Sequence, residues 1–473
     1  MDNNNLINES INNLDRDSET KTKKEFNRNL SFLDLFFAGY GFIVGAGIFT
    51  LLPTIIRHGR GLSWFSFVAG GLICLITGLS YSKLNSLYPS NDAEYSWIMN
   101  VLNFDKERDP KKTHPGVKML ANLIIWIVVA IGLLTAATVM VGQADIIREY
   151  VSISKPLIVA VMLTIPSIVT MMGNKYATSL NQTIMILVTL TFALLFGNAT
   201  VQGTNNAEND FNIKHLDFNN LLKSSFITIF AFNGFQSIVQ LSEEAEKKND
   251  VPKSIVSSVS FATIVYVVIT ISVISLIGLN SAAGSVSPIG NAFGVNLGSN
   301  GKNIVNGLTI AALTNTILII TMSRSRLLQK MAVRGIAPKY LEKITSIQKF
   351  LGIEKFTNNE NKENNADKEK TIPINGIITL SVITFLLTFI KKGAVEYLGG
   401  LTSSFIFIVF TLVNSLVLIN YFKKKTSAEL RKEKEVEVQF PLVKGYPWYG
   451  VVGLILSVIY LNLSRKYISL LAK

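Results

Sequence analysis

The feature that most constrains this chain is the recurrence of apolar blocks close to twenty residues long, separated by short polar stretches. A helical block of that length crosses a hydrocarbon core about 30 Å thick. Inside such a core every main-chain NH and C=O must find its partner within the protein, which leaves only helices or a closed barrel. Barrel strands would show short stretches of apolar and polar alternation, and none is present. The chain therefore reads as an all-α membrane protein. Its charge agrees: Asp, Glu, Lys and Arg make up 16% of the 473 residues, where soluble domains carry about 25%.

Spans are expected at Leu33–Ile56, Leu62–Tyr81, Met119–Val141, Leu157–Met172 and Thr178–Phe196. A second group is expected at Leu221–Val239, Ile255–Leu279, Ile304–Met322, Ile374–Ile390 and Leu398–Phe422, with a last span at Trp448–Leu463, about 11 in all. Cytoplasmic connections hold the excess of Lys and Arg. With the N-terminus inside, cytoplasmic segments contain 33 of the 45 such residues. This places the N-terminus in the cytoplasm of a cell whose plasma membrane the chain crosses many times. It also accounts for the net charge of +13 by anionic inner-leaflet lipids as partners, with no nucleic acid implied.

Residues 1–30 contain no apolar core of the kind a secretory signal needs and read as a disordered cytoplasmic tail. The stretch 356–372 is equally polar and reads as a disordered part of a cytoplasmic loop, while 423–473 holds a basic loop and the last span. Cys74 is the single cysteine, so neither an internal disulfide nor a cysteine metal cluster can form. His58, His114 and His215 fall in expected loops, too scattered for a metal site or a catalytic triad, and no enzyme chemistry or cofactor is implied.

Two interruptions stand out. The first span reads GYGFIVGAGIF, with glycines near mid-membrane. Small residues of this kind serve close helix packing. They also suit a helix broken at Gly45, Ala46 and Gly47, whose freed NH groups would face a carboxylate. The first span of the second group reads FITIFAFNGFQSIVQ, with Asn233 and Gly234 interrupting an apolar stretch at comparable depth. Matched interruptions point to an inverted repeat, 33–196 against 221–422 within a 31–422 core, with a ligand held between broken helices at the midplane.

GFIVGAGIF resembles the first-helix motif of the amino acid, polyamine and organocation (APC) superfamily of permeases. FAFNGFQSIVQLSEEAEKKNDVPKSI is similar to that family's sixth helix and following loop, SRSRLLQKMAVRGIAPKYL to the end of its eighth helix, and SLYPSNDAEYSWI to the segment after its second. The resemblance implies the leucine-transporter fold: a 5+5 inverted repeat with discontinuous helices 1 and 6, here with one further span. Carried over by position, it implies that the NH groups of Ala46, Gly47 and Ile48, beside Gly45, take a substrate carboxylate. The carbonyls of Ile43, Phe230 and Asn233, with Ala231 and Gly234 in the same segment, would take its amino group, and the Phe230 ring would act as gate. Thr314 and Asn315 on the eighth span could line a pocket or ion site, or simply hydrogen-bond between helices.

The chain departs from relatives in two places. Gln236 stands where many have Glu, and TIMILVTLTFALLF contains no Lys in the fifth helix, so two common coupling devices are absent and H⁺ or Na⁺ coupling stays open. Asp34, Lys223, Glu243 and Glu244 all sit near expected helix ends, leaving no charge assigned to the membrane interior. A pocket without fixed charge would favour neutral amino acids over cationic or acidic ones, because an unpaired charge at depth is costly. Transport of amino acids by alternating access is the expected activity, exchange of the glutamate/GABA type its rival within transport, and a non-transporting sensor the rival outside it. Oligomeric state is not legible.

Overall fold

The computed structural model describes residues 30–90, 92–103, 114–172, 174–202, 211, 217–242, 245–247, 249–344, 372–390, 394–426 and 446–471. The expected N-terminal tail up to residue 29, the polar stretch 356–371, the basic loop 427–445, and Glu243 and Glu244 lie outside them. In chain order the elements are α1 (Phe32–Gly59), α2 (Ser63–Leu87), α3 (Ala93–Val101), α4 (Pro115–Ile147), α5 (Lys155–Met172), α6 (Asn174–Gln202) and α7 (Phe218–Ala231). They continue as α8 (Gln236–Gln240), α9 (Asp250–Ile277), α10 (Leu279–Gly284), α11 (Pro288–Val333), α12 (Ile374–Leu387), α13 (Ala394–Thr426) and α14 (Trp448–Leu471). Seven helical stretches among the described residues are long and apolar enough to cross a bilayer, and three shorter apolar helices accompany them.

The helix ends follow from local chemistry. Ser31 and Asp34 form a reciprocal cap at the start of α1, with Ser31 N donating to Asp34 Oδ2 at 3.0 Å. His114 Nδ1 accepts from Gly116 N at the start of α4, whose first residue is Pro115. Asp217 Oδ1 accepts from Asn219 N to begin α7. Gly278, with φ 77°, closes α9, and Gly298, with φ 61°, bends α11.

α1 runs through the middle of the bundle and packs against α2, α4, α6, α7, α9 and α11. Here the first expectation is corrected: α1 is one uninterrupted helix through Gly45, Ala46 and Gly47. The glycines are used for contact rather than for uncoiling. A Cβ on Gly45 would lie 1.9 Å from Thr316 Oγ1, and one on Gly47 would lie 2.1 Å from Ala231 Cα. Two neighbours therefore approach α1 at distances that any larger residue would block. The stretch expected as one interrupted span over Leu221–Val239 does break, between α7 and α8.

Exposed surfaces agree with lipid as solvent. Leu157, Val161, Ile165 and Ile168 on α5, and Ile186, Leu190 and Leu194 on α6, recur at helical spacing and are all exposed. At the far end of α1, Glu396 at the start of α13 accepts from Arg57, His58 and Tyr467, at 3.4, 2.9 and 2.5 Å. This cluster sets the end of α14 on the same side of the bundle as the end of α1.

Two expected loops carry more structure than anticipated. The connection after the second span contains α3, with Glu94, Trp97 and Ile98 buried. The eighth span does not end at Met322: α11 continues to Val333.

Candidate functional site

The break after α7 is built by hydrogen bonding that turns the chain out of helix. Asn233 N donates to the Phe230 carbonyl at 3.0 Å and Ser237 N to the Gly234 carbonyl at 2.9 Å, three-residue closures rather than four. Gly234 has φ 137°, and a Cβ there would lie 2.7 Å from the Phe42 Cβ on α1. Only glycine meets both demands. Gln236 Oε1 accepts from Gly234 N at 2.9 Å, so the residue that departs from the common Glu fastens the turn. Asn233 Nδ2 donates to Thr135 Oγ1 at 2.9 Å, tying the break to α4.

A small pocket opens beside this break. Asn233, Gly234, Thr135, Thr316 and Arg324 contribute to its wall, with Phe42 and Ile320 as the large apolar members. The lining is thus hydroxyls, one amide and a single guanidinium on an otherwise apolar frame.

Of the residues singled out from sequence, Asn233 and Gly234 line the cavity. Ile43, Gly47, Ile48, Phe230 and Ala231 are buried beside it at the α1–α7 crossing and Gly45 at the contact with α11, all outside the lining. The NH groups of Ala46, Gly47 and Ile48 belong to a continuous helix. The Phe230 carbonyl is engaged by Asn233 N. The Ile43 carbonyl accepts from Tyr266 Oη at 2.7 Å, and the same hydroxyl bonds the Ala231 carbonyl at 2.9 Å. Thr314 Oγ1 accepts from Gln143 Nε2 at 2.7 Å, and Asn315 Nδ2 donates to Asn181 Oδ1 at 2.8 Å. Both polar groups therefore bond to neighbouring helices, while the adjacent Thr316 lines the cavity.

Two residues were missed from sequence. Tyr266 bridges α1 and α7 from α9, and its signal was a single tyrosine in the apolar run FATIVYVVIT. Arg324 was assigned to a cytoplasmic loop, yet it sits within α11 and lines the cavity, with Nη1 buried and without a hydrogen-bond partner. The premise of a pocket without fixed charge is thereby corrected. Glu94 on α3 is the carboxylate acting on Arg324, and it is held by Tyr81 Oη at 3.1 Å. Burial pushes the Glu94 carboxyl above the usual carboxylate range, opposed by its backbone hydrogen bond, by Arg324 and by Tyr81. Asp92 pairs with Arg334, whose guanidinium lies 4.5 Å from the Tyr95 ring centroid, latching the start of α3 to the end of α11.

The sequence pattern of amino acid permeases matches residues 30–465. The branched-chain amino acid permease BcaP of Bacillus subtilis (strain 168) is 25% identical over 352 residues, 69% of this chain and 71% of its own. The BcaP of Lactococcus lactis subsp. cremoris (strain MG1363) is 20% identical over 461 residues, covering 91% and 89% of the two chains. The mitochondrial cationic amino acid transporter 3 of Arabidopsis thaliana is 22% identical over 415 residues, covering 83% and 62%. These relatives are transporters, not enzymes. With a match running over nearly the whole helical body, this multi-pass membrane chain belongs to the amino acid permease family.

Proposed function

We propose that the chain is a secondary active transporter that moves amino acids with uncharged side chains across the cytoplasmic membrane by alternating access. The observation that carries this reading is the α7–α8 break opening onto a polar cavity inside an amino acid permease. Irregular backbone at membrane depth is tolerated where it is buried or lines such a cavity.

The element order supports a 5+5 inverted repeat of eleven spans. The first five are α1, α2, α4, α5 and α6; the second five are α7 with α8, α9, α11, α12 and α13; α14 follows. A short helix interrupts both halves at the same place, α3 after the second span of one and α10 after the second span of the other.

Charge supports an uncharged side chain. Arg324 is the charged side chain in the lining, so a cationic side chain would meet its field across a poorly screened pocket, whereas a zwitterion with an uncharged side chain carries no net charge. Names among the relatives, branched-chain amino acid permease and cationic amino acid transporter, supply the competing substrates.

The test is uptake of labelled amino acids by purified protein in liposomes, with leucine, isoleucine, valine, alanine, arginine, lysine and glutamate in the panel. Uptake of uncharged members is expected, and uptake confined to arginine and lysine would overturn the reading. Preloading with unlabelled substrate separates exchange from net uptake, and collapsing the proton and sodium gradients in turn identifies the coupling ion.

A further inference from the structure

The pocket lies to one side of the helix crossings. α1 meets α11 at Gly45 and Thr316, and from there Phe42 lies toward the start of α1 while Ile320 and Arg324 lie toward the end of α11. Ser237, on α8, continues the lining past the break. The pocket therefore extends toward the face on which α1 begins and α11 ends, which the excess of Lys and Arg in the connections marks as cytoplasmic.

α3 lies at that face, in the connection between α2 and α4. It packs along α4 and α13, and Trp97 Nε1 donates to the Tyr88 carbonyl at 3.0 Å. It reaches α11 through charged and aromatic side chains. Asp92, with 4% of its side chain exposed, pairs with Arg334, and the Arg334 guanidinium stands 4.5 Å from the Tyr95 ring centroid. Glu94, held by Tyr81 Oη at 3.1 Å, acts on Arg324 in the pocket wall, with no ion pair within 4 Å joining the two. Arg324 and Arg334 are about 15 Å apart along the helix, so α3 accompanies α11 from the pocket wall to its end.

This contact differs from the buried bonds that hold the bundle. The Arg334 side chain is 37% exposed, so its pair with Asp92 is screened by water and salt. Parting it admits water to both groups and leaves neither charge buried alone. The packing of α3 on α4 and α13 does not depend on it. An ionic contact between α11 and a helix packed elsewhere suits a joint that is made and broken in each cycle.

We propose that α3 is a strap across the cytoplasmic side of the pocket, fastened by Asp92 and Arg334, and that this pair parts to let substrate leave toward the cytoplasm. The proposal rests on the transporter reading above and names within it the contact that closes one side of the pocket.

Two measurements test it, and the first needs no substrate. Ser237→Cys in a Cys74→Ser background sets a single thiol in the pocket wall, and inside-out vesicles present its cytoplasmic side to a membrane-impermeant maleimide. Adding Asp92→Asn should raise the labelling rate about 3- to 10-fold, the range of a partly exposed ion pair. High salt should raise the rate while Asp92 is present and have little effect in Asp92→Asn. The exchanged pair, Asp92→Arg with Arg334→Asp, should restore slow labelling. An Asp92→Asn rate equal to the original, or an exchanged pair that labels as fast as Asp92→Asn, would overturn the strap.

The second measurement locks the contact. Asp92→Cys with Arg334→Cys, joined by a short reducible bis-methanethiosulfonate linker, should stop uptake in liposomes, and reduction should restore it. Full uptake by the linked protein would overturn the proposal, because a contact that only braces α3 has no need to open. Failure of the wild type to take up any amino acid would instead sink the transporter reading, on which the labelling rates do not depend.

Discussion

Gly47→Ala tests the reading of α1 as a continuous helix held by close packing. A methyl at that position would lie 2.1 Å from Ala231 Cα, 2.4 Å from its Cβ and 2.8 Å from its carbonyl oxygen. Carbon atoms in comfortable contact stand about 3.5–4.0 Å apart, so α1 and α7 must part by about 1.5 Å at the crossing. The Tyr266 hydroxyl, bonded to Ile43 at 2.7 Å and Ala231 at 2.9 Å, cannot follow both carbonyls and loses one. Overpacking costs about 1–3 kcal/mol and the lost buried bond about 1–3 kcal/mol, offset by about 1 kcal/mol of better helix propensity for Ala. The net destabilisation is about 3 kcal/mol, or roughly 3 °C in the melting temperature of detergent-purified protein. Gly307→Ala is the control, since nothing stands within 4 Å of a Cβ there and the residue lies inside α11; it should melt at or slightly above wild type. A Gly47→Ala protein that melts with wild type and transports at full rate would refute the close crossing.

Gly234→Ala forces a positive φ on an L residue and drives its Cβ into Phe42, so uptake should be abolished and the melting temperature should fall by several degrees. Tyr266→Phe leaves two buried carbonyls short of one donor, costing about 2 kcal/mol in thermal unfolding, and a loss below about 0.5 kcal/mol would mean that the bridge is not formed. Glu94 gives a pH signature: the fold raises its pKa, so its contribution to stability is present at low pH and is lost as pH rises through the raised value. The melting temperature of wild type should therefore decline relative to Glu94→Gln between acid and neutral pH, and parallel curves would contradict that environment. Cys74 is buried, so native protein should resist a membrane-impermeant thiol reagent, while Ser152→Cys in the exposed loop after α4 should label from outside intact cells; labelling only after lysis would invert the proposed orientation.

Much of the architecture was legible because lipid imposes length and composition on every crossing segment. The expected starts Leu33, Ile374 and Trp448 fall within one residue of α1, α12 and α14. Where helices run past the bilayer the signal fades: α4 and α13 both extend beyond their apolar blocks, since outside the hydrocarbon a helix needs only packing and caps. The break at Asn233 and Gly234 was legible for a local reason, a side-chain amide and a glycine adjoining in an apolar run. The GAG stretch had no such reading, because glycine serves a broken helix and a close crossing equally well. Only the partner's position, Ala231 against Gly47, separates them.

Arg324 shows why a charge in sequence is not a place in space. Two residues past the last apolar position of the eighth span, with Arg326 beside it, it looks like the start of a basic cytoplasmic loop. Three distant residues give it another setting: Gly132 on α4 clears its path, Glu94 on α3 supplies the opposing charge, and Tyr81 on α2 holds that carboxylate. None of the three is near Arg324 in the chain, and each alone has an ordinary explanation. A helix that continues past the hydrocarbon carries its charges along its own face, so they face lipid headgroups or the bundle according to rotation alone. For α11 the rotation that sets Thr316 against Gly45 places Arg324, eight residues later and about 80° past two full turns, within the same broad face. The contact that fixes Thr316 therefore also aims the arginine at the cavity, and the charge reaches the site as a consequence of the glycine crossing.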